Sequence, residues 1–118
     1  MGRFFKDDDF EFMMLVVLGA TYYKGADVGE CLSAAASIKN GDYESWHQSW
    51  KTTADRVRGF AGESSAAGRR ASAREAFLRA SMYYNTAASF LDVHIGPFAV
   101  VTDLEGASGV FRRGSDSL

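Results

Sequence analysis

The sequence predicts an all-α bundle of about four helices over residues 1–91, followed by an irregular segment over 92–118. Three observations carry that expectation. Apolar residues recur at helical intervals in four separate stretches, each with its own start signal. Of the 118 residues, 47% are hydrophobic and 14% aromatic, enough apolar surface to close one compact core. Only one proline is present, and the pair Gly96-Pro97 that would break a helix comes after the fourth stretch.

The first stretch follows the acidic run Asp7 to Asp9 and places Phe10, Met13, Met14, Val17 and Leu18 on one stripe. Phe12, Leu15 and Val16 fill its other faces. A helix that is apolar nearly all round has to be covered on more than one side, so these three residues mark a candidate interface.

The second stretch opens at Asp27 with Glu30 three residues on, a pairing of the capping-box kind that satisfies free amide donors at a helix start. Val28, Cys31, Leu32, Ala35 and Ile38 then form one stripe, and Asn40-Gly41 is expected to close it. Asp42 can cap the third stretch, in which Trp46, Trp50, Ala54, Val57 and Ala61 recur until Gly68 stops the pattern.

The fourth stretch begins Ser72-Ala73-Arg74-Glu75, which reads as a full S-x-x-E capping box. Ala76, Phe77, Ala80, Tyr83, Tyr84, Ala87, Ala88 and Leu91 follow on one broad face. The short connection Gly68 to Ala71 favours antiparallel neighbours. Small alanines would let those two backbones approach while the aromatic residues fill volume. Beyond Asp92, Phe98 to Thr102 reads as one short strand without a partner, and the remainder is rich in glycine, serine and arginine.

Composition excludes several classes of function. A net charge of −2 and a pI near 5.6 argue against nucleic-acid binding, despite the local run Arg56, Arg58, Arg69, Arg70, Arg74 and Arg79. That run reads as a solvated helix face with internal ion pairs to Glu63 and Glu75. Cys31 is the single cysteine, so no internal disulfide or zinc site is expected and a reducing, cytoplasmic setting is the default. The charge order of the first nine residues does not suit a secretory signal. The apolar stretch Phe12 to Ala20 is less than half of the roughly 20 residues that cross a bilayer, so no membrane span is expected.

Chemistry is sparse. Gly106-Ala107-Ser108-Gly109-Val110 has the wrong spacing for a nucleophile elbow, and Gly62-Glu63-Ser64-Ser65-Ala66 sits in a helical pattern with no strand before it. His47 and His94 have neither a carboxylate orienter nor a nucleophile beside them in sequence, and no pair has metal-ligand spacing. No catalytic, cofactor-binding or metal-ligating residue is therefore expected. Trp46, Trp50, Tyr83 and Tyr84 are candidates for a cavity wall, although aromatic residues at helical spacing more often form core.

Several of these elements together resemble a known family. They are Gly25-Ala26-Asp27-Val28-Gly29-Glu30, then Asn40-Gly41-Asp42 with Ser45-Trp46 and Trp50, then Ala54-Asp55-Arg56, and last Ser72 through Tyr84. From about Phe4 to Leu91 the sequence resembles the N-terminal helical region of α/β hydrolases such as 2,6-dihydroxypseudooxynicotine hydrolase and dipeptidyl aminopeptidase or acylaminoacyl peptidase-like proteins. The resemblance implies a helical lid over an active site, with contributions to dimer contacts. It also implies cofactor-free hydrolysis of a carbon–carbon, ester or amide bond by a Ser, Asp and His triad placed further along. The likeness ends near Leu91, before that triad, as in a truncated product, another reading of a gene or a reduced relative. The expected partners are a hydrolase catalytic domain or a second copy, and the alternative function is a self-standing helical interaction or dimerisation module.

Overall fold

The computed structural model describes residues 3–90, and these form four α-helices and one 3-10 turn. The helices are α1 (Asp8–Gly19), α2 (Val28–Ala36), α3 (Tyr43–Ala66) and α4 (Arg70–Ala87). No strand occurs among the described residues, so the all-α expectation holds for them. The strand expected at Phe98 to Thr102 and the whole segment 92–118 lie outside them.

Three helices begin where a carboxylate can accept from free amides. Asp7 accepts from the Phe10 amide at 3.0 Å, Asp27 from the Glu30 amide at 3.0 Å, and Asp42 from both Glu44 and Ser45. These bonds satisfy donors that have no partner within the helix itself. Just before α1, the Glu11 carboxylate folds back to accept from the amides of Phe4 and Phe5, which seats the Phe5 ring in the core.

The two long helices make the body of the fold. A three-residue connection containing Gly68, at φ +81, turns the chain, and the start of α3 meets the end of α4. There the Trp46 indole N–H donates to the Thr86 carbonyl at 2.9 Å, so the pair is antiparallel as its short connection requires. Ala54 and Ala61 on α3 face Ala76 and Ala80 on α4, all without solvent exposure. Small side chains there let the backbones approach, and dispersion contacts accumulate over a long shared surface.

α1 packs on that same end of the pair, away from the Gly68 turn, through Phe10, Met14 and Val17. Phe10 touches Trp46 with ring centroids 4.8 Å apart and Tyr43 at 5.1 Å. Trp46 continues to Trp50 at 5.8 Å, and Trp50 to Tyr83 at 5.6 Å. The core is thus a run of tilted and edge-on rings, the arrangements their quadrupoles favour.

Four expectations change. α2 ends at Ala36, before Asn40-Gly41, because Ser37 and Ile38 bond back three residues and tighten the last turn. Gly41, at φ +80, serves the separate turn into α3. The stripe on α2 is only half correct: Cys31 is buried, but Val28 and Leu32 are 49% and 45% exposed. Ala34 is buried instead, since the Ser49 hydroxyl donates to its carbonyl at 2.6 Å and fixes how α2 is rotated against α3.

The capping box at Ser72 does not form. Arg69 occupies the cap position of α4 without a side-chain bond, and Ser72 sits exposed in the first turn. The turn at Gly68 is the cause: it sends the Arg69 amide to the Ser64 carbonyl at 2.9 Å, so helical geometry resumes before Ser72. α4 also ends at Ala87, short of Leu91. Finally, Ala20–Tyr23 form a 3-10 turn that no periodicity signalled, closed by Lys24 at φ 67.

Candidate functional site

The most connected polar cluster joins α2 to α4. Glu30 projects from the first turn of α2, and Arg79 donates to it at 2.9 Å from Nε and 3.1 Å from Nη2. The Tyr83 hydroxyl, one turn further along α4, donates to Glu30 Oε1 at 2.7 Å and accepts from the Asp27 amide at 2.9 Å. A tyrosine hydroxyl thereby completes the cap that sequence assigned to Asp27 and Glu30 alone. Each acceptor of the carboxylate and the otherwise free amide finds a partner, as partly buried polar groups require.

Electrostatics follow from that packing. Burial pushes the Tyr83 phenol well above its usual range; the Asp27 amide opposes this and the Glu30 acceptor reinforces it. Burial alone would lower the Arg79 guanidinium, but its bonds to Glu30 outweigh that and hold it above its ordinary value. The Cys31 thiol beside them has no solvent exposure and is pushed up to about 11 by burial, against a partial opposing effect of Tyr83. A thiol with that value carries little thiolate near neutral pH, so the cluster locks two helices together rather than presenting a nucleophile.

A second pair joins α3 to α4, where the Tyr84 hydroxyl bonds the Asp55 carboxylate closely. Burial raises the Tyr84 phenol, Asp55 adds to the rise, and Arg58 opposes it. Of the arginine run, Arg79 pairs with Glu30 rather than Glu75, whose own partner is Lys24 at 3.6 Å. Arg70 and Arg74 stand exposed at the start of α4.

The sequence candidates are distributed as follows. Trp46, Trp50 and Tyr83 have no exposed surface and Tyr84 has 2%, so in this chain they fill the core. Phe12, Leu15 and Val16 are 65%, 52% and 48% exposed, on the side of α1 turned away from Phe10, Met14 and Val17. His47 is half-buried, with Nδ1 3.2 Å from the Ala87 carbonyl. Gly62 to Ala66 lies inside α3 with Ser64 buried, which is not the strand-to-helix turn a nucleophile elbow needs. Gly106 to Val110 and His94 lie outside the described residues. No group of three or more His, Cys, Asp or Glu among the described residues is placed to hold a metal ion, and no helix there is long and apolar enough to cross a membrane.

Sequence reasoning missed a surface groove of about 770 Å3 where the 3-10 turn and the end of α3 meet α4. Tyr23, Phe77 and Leu78 contribute apolar walls, and Ser81 lies at its base. Its lining comes from three segments, so no local pattern announces it.

Comparison with known proteins gives the family. The chain is 46% identical over 84 residues to hydrolyase poxO of Penicillium oxalicum, covering 71% of this chain and 20% of that protein. It is 38% identical over 116 residues to alpha/beta hydrolase psoB of Aspergillus fumigatus, covering 95% of this chain and 26% of the relative. Hydrolase acrC of Aspergillus aculeatus is 33% identical over 118 residues, all of this chain and 28% of the relative. No family model and no solved structure matches the chain. By sequence the chain therefore belongs with these α/β hydrolases, and it spans between about a fifth and just over a quarter of their length.

Proposed function

We propose that these helices are the lid and interaction module of a cofactor-free, serine-type α/β hydrolase that cleaves a carbon–carbon, ester or amide bond in the cytoplasm. Bond cleavage belongs to a catalytic domain, and this module is not catalytic by itself. Its α1 face docks on that domain, and the aromatic core of Trp46, Trp50, Tyr83 and Tyr84 holds the lid rigid over the substrate.

One observation carries the reading. α1 buries Phe10, Met14 and Val17 completely enough to be a core helix, yet Phe12, Leu15 and Val16 on the same helix are about half exposed or more. Apolar residues clustered on a structural helix mark a contact surface. The relatives are named as hydrolases, which supports a hydrolase catalytic domain as the partner of that face.

The test has two arms. The purified chain is assayed against p-nitrophenyl esters and a fluorophosphonate probe, and neither turnover nor labelling is expected. The chain is then substituted for the matching stretch of hydrolase acrC, where labelling should persist and should fall when Phe12→Ser and Leu15→Ser are introduced together. Turnover by the chain alone that the phosphonate abolishes would overturn the reading. So would a hybrid indifferent to the α1 substitutions.

A further inference from the structure

The groove beside α4 has a chemistry that neither the lid role nor the packing of the bundle uses. Arg70, Arg74, Phe77, Leu78 and Ser81 all line it. Their spacings of four, three, one and three residues keep them near one face of α4. At a rise of about 1.5 Å per residue, the eleven steps from Arg70 to Ser81 run roughly 16 Å. The groove is therefore long, and its character changes along its length.

At the beginning of α4 it is cationic. Neither Arg70 nor Arg74 has an ion-pair partner among the described residues, whereas Lys24 and Glu75 on the rim answer each other at 3.6 Å. In the middle it is apolar: Leu78 is 40% exposed, Tyr23 from the 3-10 turn is 62% exposed, and Phe77 packs beneath them. At the far end the Ser81 hydroxyl is buried without a hydrogen-bond partner, its residue only 2% exposed. A buried hydroxyl normally finds a partner, and helical serines usually have a backbone carbonyl within reach. The Ser81 hydroxyl makes no such bond, and with essentially none of its oxygen open to water it lies beneath the groove floor and offers nothing to an occupant.

We propose that this groove binds an elongated apolar acid. Its carboxylate sits between Arg70 and Arg74, and its hydrocarbon body lies on Phe77 and Leu78 against Tyr23. A volume near 770 Å3 falls in the range of small-molecule sites, which are mostly apolar with a few placed polar groups. Arginine suits the acidic end because its planar fork bonds both carboxylate oxygens. The site lies wholly within this chain and does not depend on the lid role.

Binding is measured by titrating the purified chain with 11-(dansylamino)undecanoic acid, a fluorescent apolar acid, and in parallel with its methyl ester. The acid should bind saturably and about tenfold more tightly than the ester. The double variant Arg70→Glu, Arg74→Glu changes only exposed side chains, and it should lower the acid's affinity about tenfold, to the level of the ester. Circular dichroism verifies that each variant is folded. Equal binding of acid and ester, no saturation, or indifference to the arginine reversals would overturn the proposal. The same holds if Phe12→Ser with Leu15→Ser abolishes binding while the groove variants do not, since the probe would then be reporting the α1 face.

Discussion

Arg79 and Glu30 form a two-point ion pair, with bonds of 2.9 and 3.1 Å, although 49 residues separate them. Both side chains are about one-fifth exposed. The pair joins the short α2 to the α3–α4 body, and Tyr83 shares the same carboxylate. Removing one member leaves a partly desolvated charge behind, which is more damaging than the pair is stabilising. Arg79→Ala is expected to lower stability by about 2 kcal/mol and Glu30→Gln by about 1 to 2 kcal/mol in urea titrations. The double variant should lose less than the sum, because the second substitution removes the orphaned charge.

Tyr83→Phe isolates the hydroxyl. It keeps the ring against Trp50 but leaves the Asp27 amide without its acceptor. A loss of about 1 to 2 kcal/mol is expected, comparable with losing a helix cap. The change should be concentrated at α2, so hydrogen exchange of the Asp27 amide should rise far more than that of amides in the middle of α3. Uniform acceleration across all four helices would contradict the local role.

Alkaline pH should destabilise the fold in a defined window. The Cys31 thiol ionises near 9.0 when the chain is unfolded and at about 11 when it is buried. Its contribution is complete below 9.0 and is lost as pH rises towards 11, because the unfolded state releases its proton first. The size is about 3 kcal/mol. Tyr83, raised above its usual phenol value, acts in the same direction at higher pH. Cys31→Ala should flatten the dependence of the urea midpoint between pH 9 and 11, and native Cys31 should react with Ellman's reagent at neutral pH only as fast as the protein opens.

The caps separate in strength according to geometry. Asp42→Ala removes an acceptor shared by the Glu44 and Ser45 amides and should cost about 1 kcal/mol. Ser72→Ala should change stability by less than about 0.5 kcal/mol, since the exposed hydroxyl caps nothing. Equal losses at the two positions would mean that α4 starts at Ser72 after all.

This contrast shows how far local pattern reaches. Asp27 and Asp42 were legible because a cap acts on amides two or three positions ahead, and the burial of Trp46, Trp50, Ala54, Val57 and Ala61 was legible from their spacing. Ser72 carried the same local signal as Asp27, but the turn at Gly68 gave the backbone an earlier start, and one helix cannot begin twice. Val28 and Leu32 likewise matched the stripe on α2. Bonds from distant Arg79, Tyr83 and Ser49 fixed how that helix is rotated, and no window of sequence contains them.

By themselves, the amino acids determined four helices, the starts of the first three and the aromatic core, because helix formation and amphipathic burial depend on neighbours within a few residues. Their resemblance to α/β hydrolases was also legible, since it rests on residue order. Tertiary structure alone decided the Glu30, Arg79 and Tyr83 cluster, the burial of Cys31 and the groove ending at Ser81. Those features are built by side chains from separate helices, and their chemistry exists only once packing has brought the groups together and excluded water between them.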